Sequence, residues 1–181
     1  MLYLILGVVL WVVPHLFKRA MPEARARMGN AAKGLVTLAS FAALGLMIYG
    51  YRSADFITVW TPPTWATHIN NLLMLIAVFF FTLAHSKGKL RARFRHPMLI
   101  SVKIWATAHL LVNGDLASII LFGSMLAWAV VSVIMINRAE PWVPKTPGPA
   151  KRDLVTLAIA LVAFVVFAGI HMALGVSPFP G

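Results

Sequence analysis

The chain has 181 residues, of which 60% are hydrophobic and only 12% are charged, and its mean hydropathy is +0.84. This composition excludes an ordinary water-soluble domain and predicts a helical protein that crosses a membrane several times. The net charge is +11, but the basic residues fall mostly in three connections between apolar segments, which is typical of cytoplasmic loops rather than of nucleic-acid binding.

Six apolar segments are predicted to span the membrane, near residues 2–17, 34–51, 67–84, 97–112, 116–136 and 154–174. The predicted fold class is therefore all-α, a polytopic bundle of about six transmembrane helices in a single domain over residues 1–181. Basic residues follow the first segment and do not precede it, which predicts an uncleaved anchor with its N-terminus outside. The alternating basic and non-basic connections agree with both termini outside.

The connection after the third segment carries a basic residue at every second position from Lys87 to Arg95. In an extended conformation these side chains would share one side and suit anionic lipid headgroups. The fourth segment is short for a full span, and only Asn113-Gly114-Asp115 separates it from the fifth. We expect a tight helical hairpin there, in which Asn113 and Asp115 cap the turn and the start of the next helix.

The six histidines are the main candidates for chemistry, because ionisable side chains are costly in lipid. The predicted topology places His15, His85 and His96 toward the cytoplasmic side, and His68, His109 and His171 toward the outer side. Three helices therefore bring an imidazole to a similar outer depth, which suits haem or metal ligation within a bundle. The alternative role for each histidine is interhelical hydrogen bonding.

Two of these histidines have a tryptophan one helical turn earlier, Trp11 before His15 and Trp105 before His109. Residues four apart share a face of a helix, so each pair would set an imidazole beside a flat aromatic wall. Such a wall is what a haem pocket needs. The complete absence of Cys leaves His, oxygen ligands and Met for any metal or haem, and excludes covalently attached haem.

The fourth segment also contains Lys103, about two turns after His96. Lys103 has two interpretations, snorkelling toward the inner headgroups or pairing with a buried acid or a haem propionate. Paired carboxylates, a phosphate-binding loop, a zinc-protease signature and a serine elbow are all missing from the sequence.

A long ordered run then becomes recognisable. It comprises Arg95-His96-Pro97-Met98-Leu99, Trp105-Ala106, Ala108-His109-Leu110, Asn113-Gly114-Asp115-Leu116-Ala117-Ser118, Phe122-Gly123 and Ala127-Trp128. Together with Pro14-His15 and the closing His171 and Gly175-Val176, this pattern resembles the NnrU family of bacterial inner-membrane proteins. The resemblance covers nearly the whole chain.

The resemblance implies a multi-pass protein of the bacterial cytoplasmic membrane that supports denitrification. Its expected surroundings are the lipid bilayer and components of nitric-oxide or nitrite reductases, with no nucleic acid; the sequence specifies no oligomeric state. The NnrU family is similar to the 15-cis-zeta-carotene isomerases of plants and cyanobacteria, which carry haem b. By that similarity His109 matches a haem-ligating histidine and His15 matches its partner, while His171 shares the predicted depth of His109.

Three functions stay open at this point. The first is a haem b protein, with the iron held by His109 and either His15 or His171, that senses nitric oxide, handles haem or transfers electrons. The second is a haem-dependent isomerase or redox enzyme acting on a lipid-soluble substrate such as a carotenoid. Ala106 stands where the isomerases have a cysteine, so a ligand switch through that cysteine has no counterpart here. The third is a haem-free assembly factor or transporter.

Arg95-His96-Pro97 also resembles a motif of membrane methyltransferases related to isoprenylcysteine carboxyl methyltransferase. The acidic and aromatic cofactor motif that follows in those enzymes is absent from this sequence.

Overall fold

The computed structural model describes residues 1–179 and contains seven α-helices. They are α1 (Leu2–Ala20), α2 (Pro22–Arg27), α3 (Ala31–Arg52), α4 (Ala66–His85), α5 (Pro97–Val112), α6 (Leu116–Ala139) and α7 (Lys151–Ala173). By length and composition, α1, α3, α4, α6 and α7 can each cross a membrane, and α5 is a shorter apolar helix of 16 residues. The predicted all-α class and polytopic membrane architecture are confirmed.

Helix boundaries differ from the predicted ones by a few residues, mainly where basic residues extend the helices. α1 continues through Lys18 and Arg19, and α7 begins at Lys151 rather than near residue 154. Charged side chains at helix ends reach water while their backbone stays hydrogen-bonded, so hydropathy alone underestimates these helices. The short α2 in the first basic connection was not predicted; it begins with Pro22, a residue well suited to the first position of a helix.

The helices pack in a row that does not follow chain order. From one end of the row to the other, the helices are α3, α1, α6, α5, α4 and α7. The most extensive contacts are between α1 and α3 and between α4 and α5. Small side chains allow these close approaches, as expected for helices in lipid. A Cβ at Gly50 of α3 would overlap the backbone of Leu4 in α1, and Ser101 of α5 donates a 2.7 Å hydrogen bond to the Ala77 carbonyl of α4.

Residues 57–60 of the α3–α4 connection, here called the strap, cross the hairpin between α5 and α6. The amides of Val59 and Trp60 donate to the Gly114 carbonyl at 2.8 and 3.0 Å, and the Leu116 amide donates to the Ile57 carbonyl at 2.8 Å. Gly114 is required there because a Cβ would overlap the Trp60 carbonyl. The strap therefore ties the end of α5 and the start of α6 to the connection that follows α3.

The basic connection before α5 is folded rather than extended. Residues Leu90–Arg93 form a turn of 3₁₀ helix, and Arg91 donates to the carbonyls of Ala84 and Phe94. Alternate basic residues therefore do not share one side, because the turn directs Arg91 to the Ala84 carbonyl in the last turn of α4 and to the Phe94 carbonyl of the connection. The expectation of a single basic stripe is wrong.

Candidate functional site

The centre of the candidate site is a wide turn in the first half of α6. Residues Ile119–Gly123 form a π-helical segment, and Phe122 within it is buried. A π turn inserts an extra residue into the helical repeat and changes the direction of the side chains around it, a feature frequent at functional sites. Here it sets Phe122 against α5, where its ring stacks on His109 with centroids 4.5 Å apart and planes at 27°.

His109 lies in an aromatic cage between α5, α6 and α7. Trp105 contacts both His109 and Phe122, at centroid distances of 5.4 and 5.1 Å. On the remaining side is the imidazole of His171 from α7, whose centroid is 6.5 Å from that of His109. The packing therefore brings together two histidines that the sequence placed at a similar depth, with their ring planes tilted by 42°.

Three histidines share one hydrogen-bonding arrangement. The Nδ1 atoms of His15, His109 and His171 donate to the carbonyls one turn earlier, those of Trp11, Trp105 and Phe167, at 2.6, 2.9 and 2.7 Å. Histidines that bind metals commonly use one ring nitrogen in this way, which fixes the tautomer and leaves the other free as a ligand. Within residues 1–179, which the structure describes, the Nε2 atoms of these three histidines make no hydrogen bond.

The spacing of the two imidazoles is compatible with two ligands on one metal ion. Two imidazoles bound to one metal ion at about 2 Å each have centroids roughly 6 Å apart, close to the 6.5 Å between His109 and His171. Among residues 1–179 no group of three or more His, Cys, Asp or Glu side chains is arranged to hold a metal ion. A haem would need only one or two histidine ligands from the protein, because its porphyrin supplies the other nitrogens.

His15 lies in a second aromatic cluster, between α1 and α6. It stacks on Trp11 with centroids 4.4 Å apart and meets the edge of Trp128 at 5.5 Å. The indole Nε1 atoms of Trp11 and Trp128 are buried and have no hydrogen-bond partner within residues 1–179. A buried donor without an acceptor is costly, so this cluster leaves two indole N–H groups unsatisfied beside His15.

The two clusters contact the same helix at different heights. His109 touches Phe122 and His15 touches Trp128, and six residues of helix separate these contacts by about 9 Å. The clusters are therefore much closer in depth than opposite sides of a membrane. Even so, the ring contacts of His109 include His171 and not His15.

The residues of the hairpin between α5 and α6 support the His109 cluster. Asn113 Nδ2 donates to the His109 carbonyl at 2.8 Å. Asp115 caps α6 by accepting from the Ser118 amide at 2.9 Å and from the Ser118 hydroxyl. Tyr51, whose hydroxyl lies 2.8 Å from Ser118 Oγ, packs its ring 6.2 Å from Phe122. This network connects α3, α5 and α6 around the cage.

The Arg95-His96-Pro97 group lies at the other end of α5, away from both clusters. Arg95 donates to the carbonyls of Ile136 and Glu140, and His96 Nε2 bonds Asn137 Oδ1 at 2.9 Å. Pro97 is buried at the first position of α5. These residues anchor the start of α5 to the end of α6. Lys103 lines a groove elsewhere on α5.

Three contributors to these clusters, Phe122, Trp128 and Tyr51, were given no role in the site by the sequence analysis, although Phe122 and Trp128 belong to the run that carries the family resemblance. Each of them lies on a different helix from the histidine of its cluster, so no spacing along the chain predicts the contact. The π segment adds a local irregularity that helical periodicity does not anticipate.

Taken together, the fold and the paired histidines define a polytopic helical membrane protein with an aromatic, histidine-lined site near one end of its bundle. The chain matches the family model described as NnrU protein over residues 3–178. This chain therefore belongs to the NnrU family. No curated protein and no solved structure matches it.

Proposed function

We propose that this protein binds one haem b through His109 and His171 in the bacterial cytoplasmic membrane and supports the reduction of nitrite or nitric oxide. The observation that carries the proposal is the pair of imidazoles 6.5 Å apart, each anchored through Nδ1 to its own helix. NnrU membership supports the link with denitrification and with reductase partners.

The residues of the chain have separate tasks in this proposal. His109 and His171 offer their Nε2 atoms as ligands, and the carbonyls of Trp105 and Phe167 hold the rings in orientation. Phe122 and Trp105 exclude water from one side of His109. A bound haem supplies one-electron chemistry and affinity for diatomic gases. Two histidine ligands favour electron transfer, haem handling or gas sensing over catalysis at an open iron position.

The test is the absorption spectrum of the full-length protein, purified in detergent from cells supplied with haem. We expect a stoichiometric b-type haem in the pyridine haemochrome assay and a six-coordinate spectrum before and after reduction with dithionite. Substituting His109→Ala should remove most of the haem, because His109 is the more enclosed of the two ligands. Substituting His171→Ala should leave a five-coordinate or weakly held haem.

The matched controls are His15→Ala and His85→Ala, which change histidines outside the pair. Both variants are expected to keep the wild-type spectrum. Loss of the six-coordinate spectrum in His15→Ala, with His171→Ala unaffected, would assign the second ligand to His15. A wild-type protein without haem would reject the proposal and favour the assembly-factor role, which is then measured by reductase maturation in a deletion strain.

A further inference from the structure

The face of α5 opposite Trp105 and His109 carries a groove that no histidine lines. This Lys103 groove has a volume of about 390 Å³ and is lined by Leu73, Ile100, Lys103, Ile104, Thr107 and Leu126. Its walls come from α4, α5 and α6. Because successive residues of a helix turn by about 100°, Ile100, Ile104 and Thr107 lie opposite Trp105 and His109. The groove is therefore separate from the proposed haem site.

Lys103 has no counter-ion within the described part of the chain. It takes part in no hydrogen bond and no ion pair among residues 1–179. None of the acidic residues lines the groove; they are Glu23, Asp55, Asp115, Glu140 and Asp153. Asp115 caps α6 at the hairpin, Glu140 pairs with Arg19, and Asp153 accepts from the Leu90 amide. A lysine ammonium group within an apolar helix is costly unless it reaches the membrane interface or meets an anion.

The position of Lys103 indicates where that anion comes from. Lys103 is six residues into α5, about 9 Å from Pro97, and side chains on a helix lean toward its N-terminus. The N-terminus of α5 follows the basic connection and is predicted to face the cytoplasm. Lys103 can therefore extend its ammonium group toward the headgroups of the cytoplasmic leaflet.

The walls of the groove suit an acyl chain better than a partner helix. Helices that associate in lipid use small residues to approach closely, whereas this groove is walled by Leu73, Ile100, Ile104 and Leu126. From Ile100 to Thr107 it follows α5 for about 10 Å, which is a segment of one acyl chain.

We propose that the Lys103 groove binds one anionic phospholipid of the cytoplasmic leaflet, with its phosphate on the Lys103 ammonium group and an acyl chain along Ile104 and Thr107. The site is specific because it combines a lysine ammonium group with an adjoining apolar wall. The loop lysines, by contrast, attract anionic headgroups without fixing a chain. This inference does not depend on haem binding.

The experiment is native mass spectrometry of the full-length protein in detergent, titrated separately with phosphatidylglycerol and with phosphatidylcholine. We expect one retained phosphatidylglycerol, held more tightly than phosphatidylcholine. In Lys103→Met the affinity for phosphatidylglycerol should fall about tenfold, the effect of losing a hydrogen bond to a charged group, and the preference over phosphatidylcholine should disappear. Lys103→Arg should keep the preference because it keeps the charge.

Two further variants separate the groove from general surface charge. Lys89→Met removes an exposed lysine of the basic connection and should leave the retained lipid unchanged. Thr107→Trp keeps Lys103 but fills the groove with a ring, so it should reduce retention of phosphatidylglycerol as much as Lys103→Met does. Wild-type retention in both Lys103→Met and Thr107→Trp, or a loss seen only in Lys89→Met, would overturn the proposal.

The occupant is identified by a photo-crosslinking residue at position 104, activated in native membranes. We expect an adduct with the mass of a phospholipid that is lost in the Lys103→Met background. An adduct with another protein would overturn the proposal and assign the groove to a membrane helix carrying an acidic residue.

Discussion

At the residue scale, Asp115 shows how one buried side chain joins the hairpin to the bundle. Its carboxylate accepts from the Ser118 amide and hydroxyl, and Ser118 in turn bonds Tyr51. Asp115 and Ser118 are both buried, at 7% and 0% exposure. A donor left without its acceptor at such a place costs more than the hydrogen bond itself contributes.

Substituting Asp115→Ala is therefore expected to lower the free energy of unfolding by about 1–2 kcal/mol, the usual cost of losing a buried helix cap. The measurement is reversible unfolding of the detergent-purified protein by a denaturing detergent, followed by far-UV circular dichroism. Asp55→Ala is the matched control, because Asp55 is an exposed acid of the α3–α4 connection and should change stability little. Equal losses in both variants would contradict a capping role.

Residue-scale contacts also show what the sequence could predict about the site. The Trp11–His15 and Trp105–His109 pairs follow from a spacing of four, which is fixed by the helix itself. The role of Asp115 followed from its position before an apolar run. The approach of His171 to His109 is different, since it depends on how α7 rests on α4, and no local rule specifies that.

At the element scale, the packing of α1 against α3 depends on Gly50. Leu4 packs so closely there that an added Cβ would overlap its backbone nitrogen and Cα. Gly45, one and a half turns earlier on the same helix, has no atom near the position of a Cβ. The two glycines therefore differ in their packing.

Substituting Gly50→Ala should push α1 and α3 apart and destabilise the bundle by about 1–3 kcal/mol, the cost of overpacking a close contact. Gly45→Ala is the control and should leave stability nearly unchanged. Thermal unfolding in detergent, followed by the fluorescence of the tryptophans, measures both. A Gly50→Ala protein as stable as wild type would show that the α1–α3 contact tolerates a wider spacing.

Element bounds were predicted within a few residues because hydropathy and turn residues are local signals. The order of the helices in the row was not predicted, because it is set by close contacts of small side chains such as Ala77 with Ser101. The π segment was also missed, since Ile119–Gly123 reads as an ordinary apolar helix. Irregularities of this kind depend on the packing of neighbouring helices.

At the scale of the whole molecule, the strongest sequence signal is the distribution of charge. Basic residues follow α1, precede α5 and flank the start of α7, while the strap and the hairpin carry few. The positive-inside rule then predicts the strap and both termini on the outer side.

The absence of Cys makes this topology directly testable with single-cysteine variants. Thr61→Cys in the α3–α4 connection should react with a membrane-impermeant maleimide in cells whose outer membrane has been permeabilised. Thr146→Cys in the α6–α7 connection should react only after the cytoplasmic membrane is opened. Both side chains are exposed, so the reverse pattern of labelling would mean the inverted orientation.

The short α5 also has a consequence for the bilayer around the protein. Sixteen residues rise only about 24 Å, less than the roughly 30 Å of a typical hydrocarbon core. Lipids beside α5 must compress to match it, at a cost of fractions of a kcal/mol for each ångström of mismatch. Local thinning of the bilayer would bring water closer to both ends of α5.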